Sequence, residues 1–283
     1  MKAAPVNIRL SWGTLEGLHW SRPGAPKVLC LHGWLDNAAS FVPLSHYLED
    51  FDLLALDFAG HGFSSHRPET SRYYFPDNMF DVDAALDVLG WEKCHIIGHS
   101  MGGGIASGFA AASPERVDRL VLLDAVGILT LPAEQAAKQL RLSIKSVRKK
   151  PGTLRPYNSV EDAMLARQKD SDLSDEAARL LCERSLEHTG DYYQWRTDPR
   201  LNWRSPWLLN DEQALTLLAA IKSPTLAITS PSAIKYLGEE MLEARLASIA
   251  NCRHIHDEGH HHFHMEQAQH IGEYITEFLQ SQD

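Results

Sequence analysis

The chain has 283 residues, 44% of them hydrophobic and 23% charged, enough apolar material for a large buried core in one domain with an insertion or in two small ones. Its formal net charge is -10, with no dense basic block beyond Arg148-Lys149-Lys150, so attraction to a phosphate backbone is unfavourable and nucleic acid is excluded as the expected partner. The four cysteines, Cys30, Cys94, Cys182 and Cys252, lack CxxC spacing, which leaves neither a zinc knuckle nor a disulfide framework and predicts reduced thiols.

The opening segment, MKAAPVNIRLSW, lacks the long apolar stretch of a signal peptide, and no run approaches the ~18 apolar residues of a membrane span. A soluble, cytoplasmic chain without stable membrane insertion is expected. Ile8-Ser11 and Gly17-Trp20 flank Trp12-Gly13-Thr14 and predict an antiparallel pair that opens a sheet. The apolar runs Val28-Leu31, Phe51-Leu56, His95-Ile97 and Leu120-Leu123 then read as strands, with helical patterns over Asp77-Leu89 and Met101-Ala112. This alternation predicts an α/β fold, a mainly parallel sheet with helices on both faces.

The alternation breaks after about Val126. From Leu129 to Asp211 the sequence offers no convincing strand, only helix formers mixed with Pro, Trp and charge. A structureless loop of that length is rare, so residues 129–211 are expected to form a helical cap inserted between two core parts, 1–128 and 212–283. The pattern returns with strands at Thr225-Ile228 and Arg253-His256 and a last helix over Glu266-Leu279.

Gly98-His99-Ser100-Met101-Gly102-Gly103 follows one strand and opens a helix, the context of a nucleophile elbow. A serine at such a tight turn lifts its hydroxyl above the sheet, and the helix start offers free N–H groups to a developing oxyanion. Out of context, G-x-S-x-G is an ordinary glycine turn. His32-Gly33-Trp34 follows the strand Val28-Leu31, so the Trp34 and Met101 N–H groups are the expected oxyanion hole. His32, Gly33 and His99 beside it are expected to contact substrate. Asp57-Phe58-Ala59-Gly60-His61-Gly62-Phe63-Ser64 reads as a structural loop shaped by its glycines. In the expected cap, Tyr192, Tyr193, Trp195, Trp203 and Trp207 either line an acyl pocket or pack the cap's own core; Trp195 and Trp203 are the substrate candidates among them.

Together these motifs resemble the α/β-hydrolases. LHGW at Leu31-Trp34, DFAGHGFS at Asp57-Ser64, GHSMGG at Gly98-Gly103 and the late glycine-histidine cluster occur in that superfamily's order. HGWLDN at His32-Asn37, DPRL at Asp198-Leu201 with nearby Ser205-Pro206, and the HHxH stretch are similar to the serine hydrolase-like branch. That resemblance implies a hydrolase of poorly defined substrate. It also implies that the base comes last in the chain, which selects His261 from Gly259-His260-His261-His262-Phe263-His264, with His260 the neighbour one residue away. Consecutive histidines point in different directions and no HExxH motif or cysteine partner accompanies them, so no metal and no cofactor are expected.

The superfamily's usual acid follows the strand Thr225-Ile228, but the chain continues Thr229-Ser230-Pro231-Ser232-Ala233 and offers no carboxylate. The resemblance also covers relatives that place the acid one strand earlier, which implies Asp124, directly after Leu120-Leu123, as the alternative acid; a carboxylate at a strand end also serves simply to bond nearby N–H groups. The expectation is a serine hydrolase of a small to medium carboxylic ester, acting as a monomer or homodimer on a small molecule. Thioester or carbon-carbon bond hydrolysis uses the same three residues and stays open, as does a ligand-binding or sensor protein with weak catalysis. Dehalogenation is disfavoured, because the elbow carries serine where that chemistry needs aspartate.

Overall fold

Alternate residues of the central strands face opposite apolar layers, and that two-sided burial fixes the architecture. The computed structural model describes residues 2–149, 154–169 and 171–281. Lys150 of the short basic run, residues 151–153 and 170 of the expected cap, and residues 1, 282 and 283 lie outside the described residues. In chain order the sheet and its first helices are β1 (Ala4–Arg9), β2 (Thr14–Trp20), β3 (Lys27–Leu31), α1 (Val42–Ser45), β4 (Asp52–Leu56), α2 (Asp77–Leu89), β5 (Cys94–His99), α3 (Met101–Ala112) and β6 (Val117–Leu123). There follow α4 (Ala136–Arg148), α5 (Val160–Gln168), α6 (Asp175–Ser185), β7 (Leu186–His188), β8 (Tyr193–Trp195) and α7 (Asp211–Ala220). The chain closes with β9 (Thr225–Thr229), α8 (Pro231–Leu237), α9 (Glu239–Ser248), β10 (Cys252–His256), α10 (Phe263–Glu266) and α11 (Ala268–Gln280).

Eight strands form one sheet in the order β1-β2-β4-β3-β5-β6-β9-β10. The β1–β2 and β2–β4 pairs are antiparallel, and every pair from β4 to β10 is parallel. Leu29 and Leu31 face a layer that contains Val82, Leu86, Ile105 and Phe109 of α2 and α3. Val28 and Cys30 face the other, with Leu44, Ile271, Ile275 and Phe278 of α1 and α11. This is the mainly parallel sheet covered on both sides that the alternation predicted, and the α/β-hydrolase fold that the motif resemblance implied. The chain leaves β3 toward β4 on one side and returns as β5 on the other, so a crevice opens at the C-terminal ends of β3 and β5, where open α/β sheets bind ligands.

Between β6 and α7 the chain makes the long excursion foreseen from composition, with one correction. The stretch contains two strands, β7 and β8, paired with each other in a separate two-stranded sheet. At three residues each they are too short to print an alternation in the sequence. Tyr157, Met164, Ala178, Leu181 and Leu186 give this segment an apolar cluster of its own. Polar bonds seat it on the loops after β3 and β4: Asn37 donates to the Leu181 carbonyl and the Ser185 hydroxyl, both at 2.8 Å, and the Arg184 guanidinium grips both oxygens of buried Asp57. A Cβ at Gly62 would lie 2.3 Å from that carboxylate, and its φ of +50° is the left-handed conformation glycine tolerates. Asp57 and Gly62 are therefore structural, as the loop's glycines suggested.

Among the described residues no helix is long and apolar enough to cross a membrane. All four cysteines are free.

Candidate active site

Three non-glycine residues among those described have positive φ: Leu35 at 62°, Ser100 at 51° and Asp124 at 50°. They follow β3, β5 and β6, so the strained backbone gathers at the C-terminal edge of the sheet, and such strain persists where surrounding structure holds it for a purpose. Ser100 is clamped there by its N–H donating to the Leu123 carbonyl at 3.0 Å. One residue later α3 begins. A Cβ on Gly102 would stand 2.0 Å from the Leu31 carbonyl oxygen and 2.8 Å from that of His32, so only glycine lets the start of α3 press against the end of β3.

That contact brings the His32-Gly33-Trp34 turn beside Ser100. Met101 is the first residue of α3, and its N–H is one of the helix's unpaired donors. Trp34, in that turn, is half exposed.

The histidine run spans the loop between β10 and α10, with His264 inside α10. His261 Nε2 is 2.9 Å from Ser100 Oγ, and Nδ1 is 2.6 Å from Asp124 Oδ2. An ionised Asp124 accepts the Nδ1 proton, which leaves the Nε2 lone pair facing the serine hydroxyl. The Asp124 side chain is fully buried and that of His261 is 27% exposed. The other Asp124 oxygen, Oδ1, accepts from Ser230 N–H at 2.7 Å and Ser230 Oγ–H at 2.9 Å. Ser230 thus stands after β9, where the usual acid is missing, and anchors the Asp124 carboxylate that comes from β6. Ala233, in the same stretch, is buried in the apolar layer. His260, the one-residue alternative, is exposed and faces Asp172 at 3.5 Å.

The five expected substrate contacts take other places. His32 is fully buried, with Nδ1–H donating to the Gly33 carbonyl at 2.6 Å and Nε2 accepting from Phe58 N–H at 3.0 Å. Burial pushes its imidazole down to about 4. It braces the turn and presents nothing to a ligand. His99 is also fully buried, and its Nε2–H donates to the His261 carbonyl at 2.8 Å, tying β5, which leads into Ser100, to the loop of His261. Trp195 packs on the excursion's own cluster, its indole N–H 3.3 Å from the Tyr157 hydroxyl. Trp203 sits half-buried after the 3-10 turn Pro199–Asn202, and among the described residues no hydrogen bond or ring contact links it to Ser100 or His261. Gly33 is likewise buried, a Cβ there falling 2.8 Å from Asp36 Oδ2.

Sequence reasoning missed Ser230, Asp36 and Tyr236. Tyr236, exposed on α8, holds its ring tilted against that of His261 at 5.9 Å and adds an apolar surface beside it. Asp36 is buried between Arg167, His262 and His99. Burial opposes its ionisation, but the charges of His262 and Arg167 outweigh that and hold it well below the usual carboxylate range. HGWLDN carried the only signal for Asp36, and that motif gives no direction for its side chain.

Cavities of about 430 Å³ beside Lys27, Gly90, His95 and Asp118, and about 180 Å³ beside Pro132, Trp207 and Asn210, include none of these residues. The first opens at the N-terminal ends of β3 and β5, opposite the edge where α/β sheets hold ligands.

The chain matches the alpha/beta hydrolase fold family over residues 26–155. A serine hydrolase-like protein of Dictyostelium discoideum is 34% identical across 95% of this chain and 77% of its own. One from Danio rerio is 30% identical across 99% of this chain and 89% of its own. The crystal structure of a hypothetical protein from Pseudomonas aeruginosa PAO1 superposes with a TM-score of 0.90 at 34% identity, covering 99% of this chain and 100% of that one. Fold, strained serine turn and whole-length similarity agree, and the chain belongs to the serine hydrolase-like proteins of the α/β-hydrolase superfamily.

Proposed function

We propose that this protein hydrolyses a carboxylic ester through an acyl-enzyme intermediate on Ser100. One observation carries the reading: a continuous hydrogen-bonded chain from Ser100 Oγ through the His261 ring to buried Asp124, at 2.9 and 2.6 Å. Ser100 Oγ attacks the acyl carbon while His261 Nε2 takes its proton; the resulting imidazolium is stabilised by Asp124, whose position is held by Ser230. The Met101 and Trp34 N–H groups receive the developing oxyanion. His261 then protonates the leaving alkoxide, and water, deprotonated by the same ring, releases the acid. Residues 129–211 act as the cap in this scheme, seated by Asn37 and Asp57.

The acid missing after β9 was the sequence's argument for a binding or sensor protein. The hydrogen bonds of Ser230 to Asp124 and of Asp124 to His261 support the hydrolase reading over it, since a carboxylate from β6 lies on the imidazole. The test is turnover of a panel of acyl esters by the purified chain. Ester cleavage that disappears in Ser100→Ala and falls steeply in His261→Ala is expected. Wild-type turnover in Ser100→Ala overturns the assignment.

A further inference from the structure

Below the Ser100–His261 pair lies a cluster that hydrolysis leaves unused. Asp36 from the loop after β3, His99 from the end of β5 and His262 from the loop after β10 are all buried, and one ligand atom of each lies within 4.8 Å of the others. Asp36 Oδ2 is 3.2 Å from His262 Nε2 and 3.7 Å from His99 Nδ1. Because His99 spends its Nε2–H on the His261 carbonyl, a neutral ring carries only a lone pair on Nδ1. That nitrogen has no hydrogen-bond partner in the interior. A bare lone pair therefore faces a carboxylate oxygen across 3.7 Å, two acceptors with no proton between them, an arrangement that costs free energy unless a cation bridges it. His264 lies behind His99 with its ring tilted and its centroid 4.1 Å away, and both its nitrogens are also buried without partners.

We propose that Asp36, His99 and His262 form a binding site for one zinc-type divalent transition-metal ion. Two imidazoles and one carboxylate suit zinc, nickel or copper, whereas magnesium and calcium call for oxygen ligands. With metal–ligand bonds of ~2.0–2.2 Å, tetrahedral ligand atoms sit about 3.3–3.5 Å apart; the two separations from Asp36 Oδ2, 3.2 and 3.7 Å, are close to that, and the two imidazole nitrogens, within 4.8 Å of each other, would close on the ion. The hydrogen bond from His99 to the His261 carbonyl is the outer-shell contact that fixes a ligating imidazole's tautomer. Arg167 pairs with the other Asp36 oxygen and leaves Oδ2 for the ion. His262 enters by moving its proton from Nε2 to Nδ1, and a water completes the fourth position. The ion takes no part in the hydrolytic steps; it fastens the loop of His261 to β5 and to the turn after β3. The histidine run was set aside as a ligand source because its members diverge in sequence, yet one of them meets partners from two distant segments.

The test is calorimetric titration of zinc chloride into the chelator-treated full chain, with magnesium chloride as comparison. One zinc per chain is expected, with no magnesium binding. Asp36→Asn and His262→Gln, checked for folding by circular dichroism, should each weaken zinc by more than the ~10–100-fold typical of outer-shell losses. His256→Ala and His260→Ala, at exposed positions, should leave it unchanged. Cobalt(II) added to the wild-type chain should give the visible bands of a tetrahedral centre, a readout that needs no variant. Absence of those bands, undiminished zinc binding in a folded His262→Gln chain, or zinc binding lost in His256→Ala or His260→Ala would each overturn the site. None of these readouts depends on ester turnover, so the metal site and the hydrolase reading fail separately.

Discussion

At the scale of single residues, the acid is the point on which the chemistry turns. Asp124→Asn keeps the shape of the side chain but favours the wrong imidazole tautomer and cannot stabilise an imidazolium, so turnover should fall by up to ~10⁴ with the fold intact. Ser230→Ala is the subtler probe. It deletes the hydroxyl donor to Asp124 Oδ1 and keeps the backbone one, and a charge-assisted bond of ~1.5–3 kcal/mol predicts a loss in kcat of roughly ten- to a hundredfold. KM should change little, since neither group touches the acyl chain in the proposed mechanism. A Ser230→Ala enzyme with unaltered kcat would contradict that positioning role. Ser100, His261 and Asp124 were readable because each follows a strand in an order that the sequence displays. Ser230 was not, since a sequence shows a missing carboxylate but not the hydroxyl that supports its replacement. The histidines at 32 and 99 were misread for a related reason: sequence places a residue in a turn without saying whether its ring faces solvent or the core.

At the scale of elements, the join between α6 and the loop after β4 rests on a buried charge. Asp57 accepts from Ala38 N–H, Phe63 N–H and the Arg184 guanidinium, and its side chain is fully buried while that of Arg184 is 11% exposed. Asp57→Ala strands the guanidinium and two amide donors, so urea unfolding should show a loss of about 3–5 kcal/mol. A loss under 1 kcal/mol would mean that the excursion is not seated through this pair. The inner strands of the parallel sheet, β3, β4, β5, β6 and β9, were legible as apolar runs because both faces are covered, whereas β10 at the edge is largely exposed. The first pair was displaced: the sequence suggested Ile8-Ser11, whereas β1 spans Ala4–Arg9, mostly exposed at the sheet edge and so without a burial pattern to mark it. The last helical pattern, expected over Glu266-Leu279, divides at Gln267 into α10 and α11. α8 and α9, short and largely exposed between β9 and β10, left too little periodicity to be named.

Across the whole molecule, buried neutral histidines set an acid limit on stability. Burial lowers His32 to about 4 and His61 to about 3, the latter helped by the neighbouring His32 ring. Both lie below the ordinary imidazole value near 6.5, so between those limits the unfolded chain binds more protons than the folded one. The stability they contribute is complete above about pH 6.5 and declines as pH falls toward 4, by roughly 1.4 kcal/mol per pH unit for each group. Protonating His32 Nε2 would also displace the Phe58 N–H that it accepts. Urea midpoints measured from pH 7 to pH 4.5 should fall steadily, and a flat profile over that range would contradict the neutral burial of these rings.

The central claim, an activated serine at the sheet edge, is tested most directly by intact-protein mass spectrometry after exposure to a fluorophosphonate probe. A serine without a base beside it reacts poorly, whereas one hydrogen-bonded to His261 Nε2 at 2.9 Å should be phosphonylated readily. The account predicts one adduct per chain, mapped to the Gly98–Gly103 turn, absent in Ser100→Ala and slowed in Asp124→Asn. No adduct on the wild-type chain, or an adduct that persists in Ser100→Ala, would contradict it.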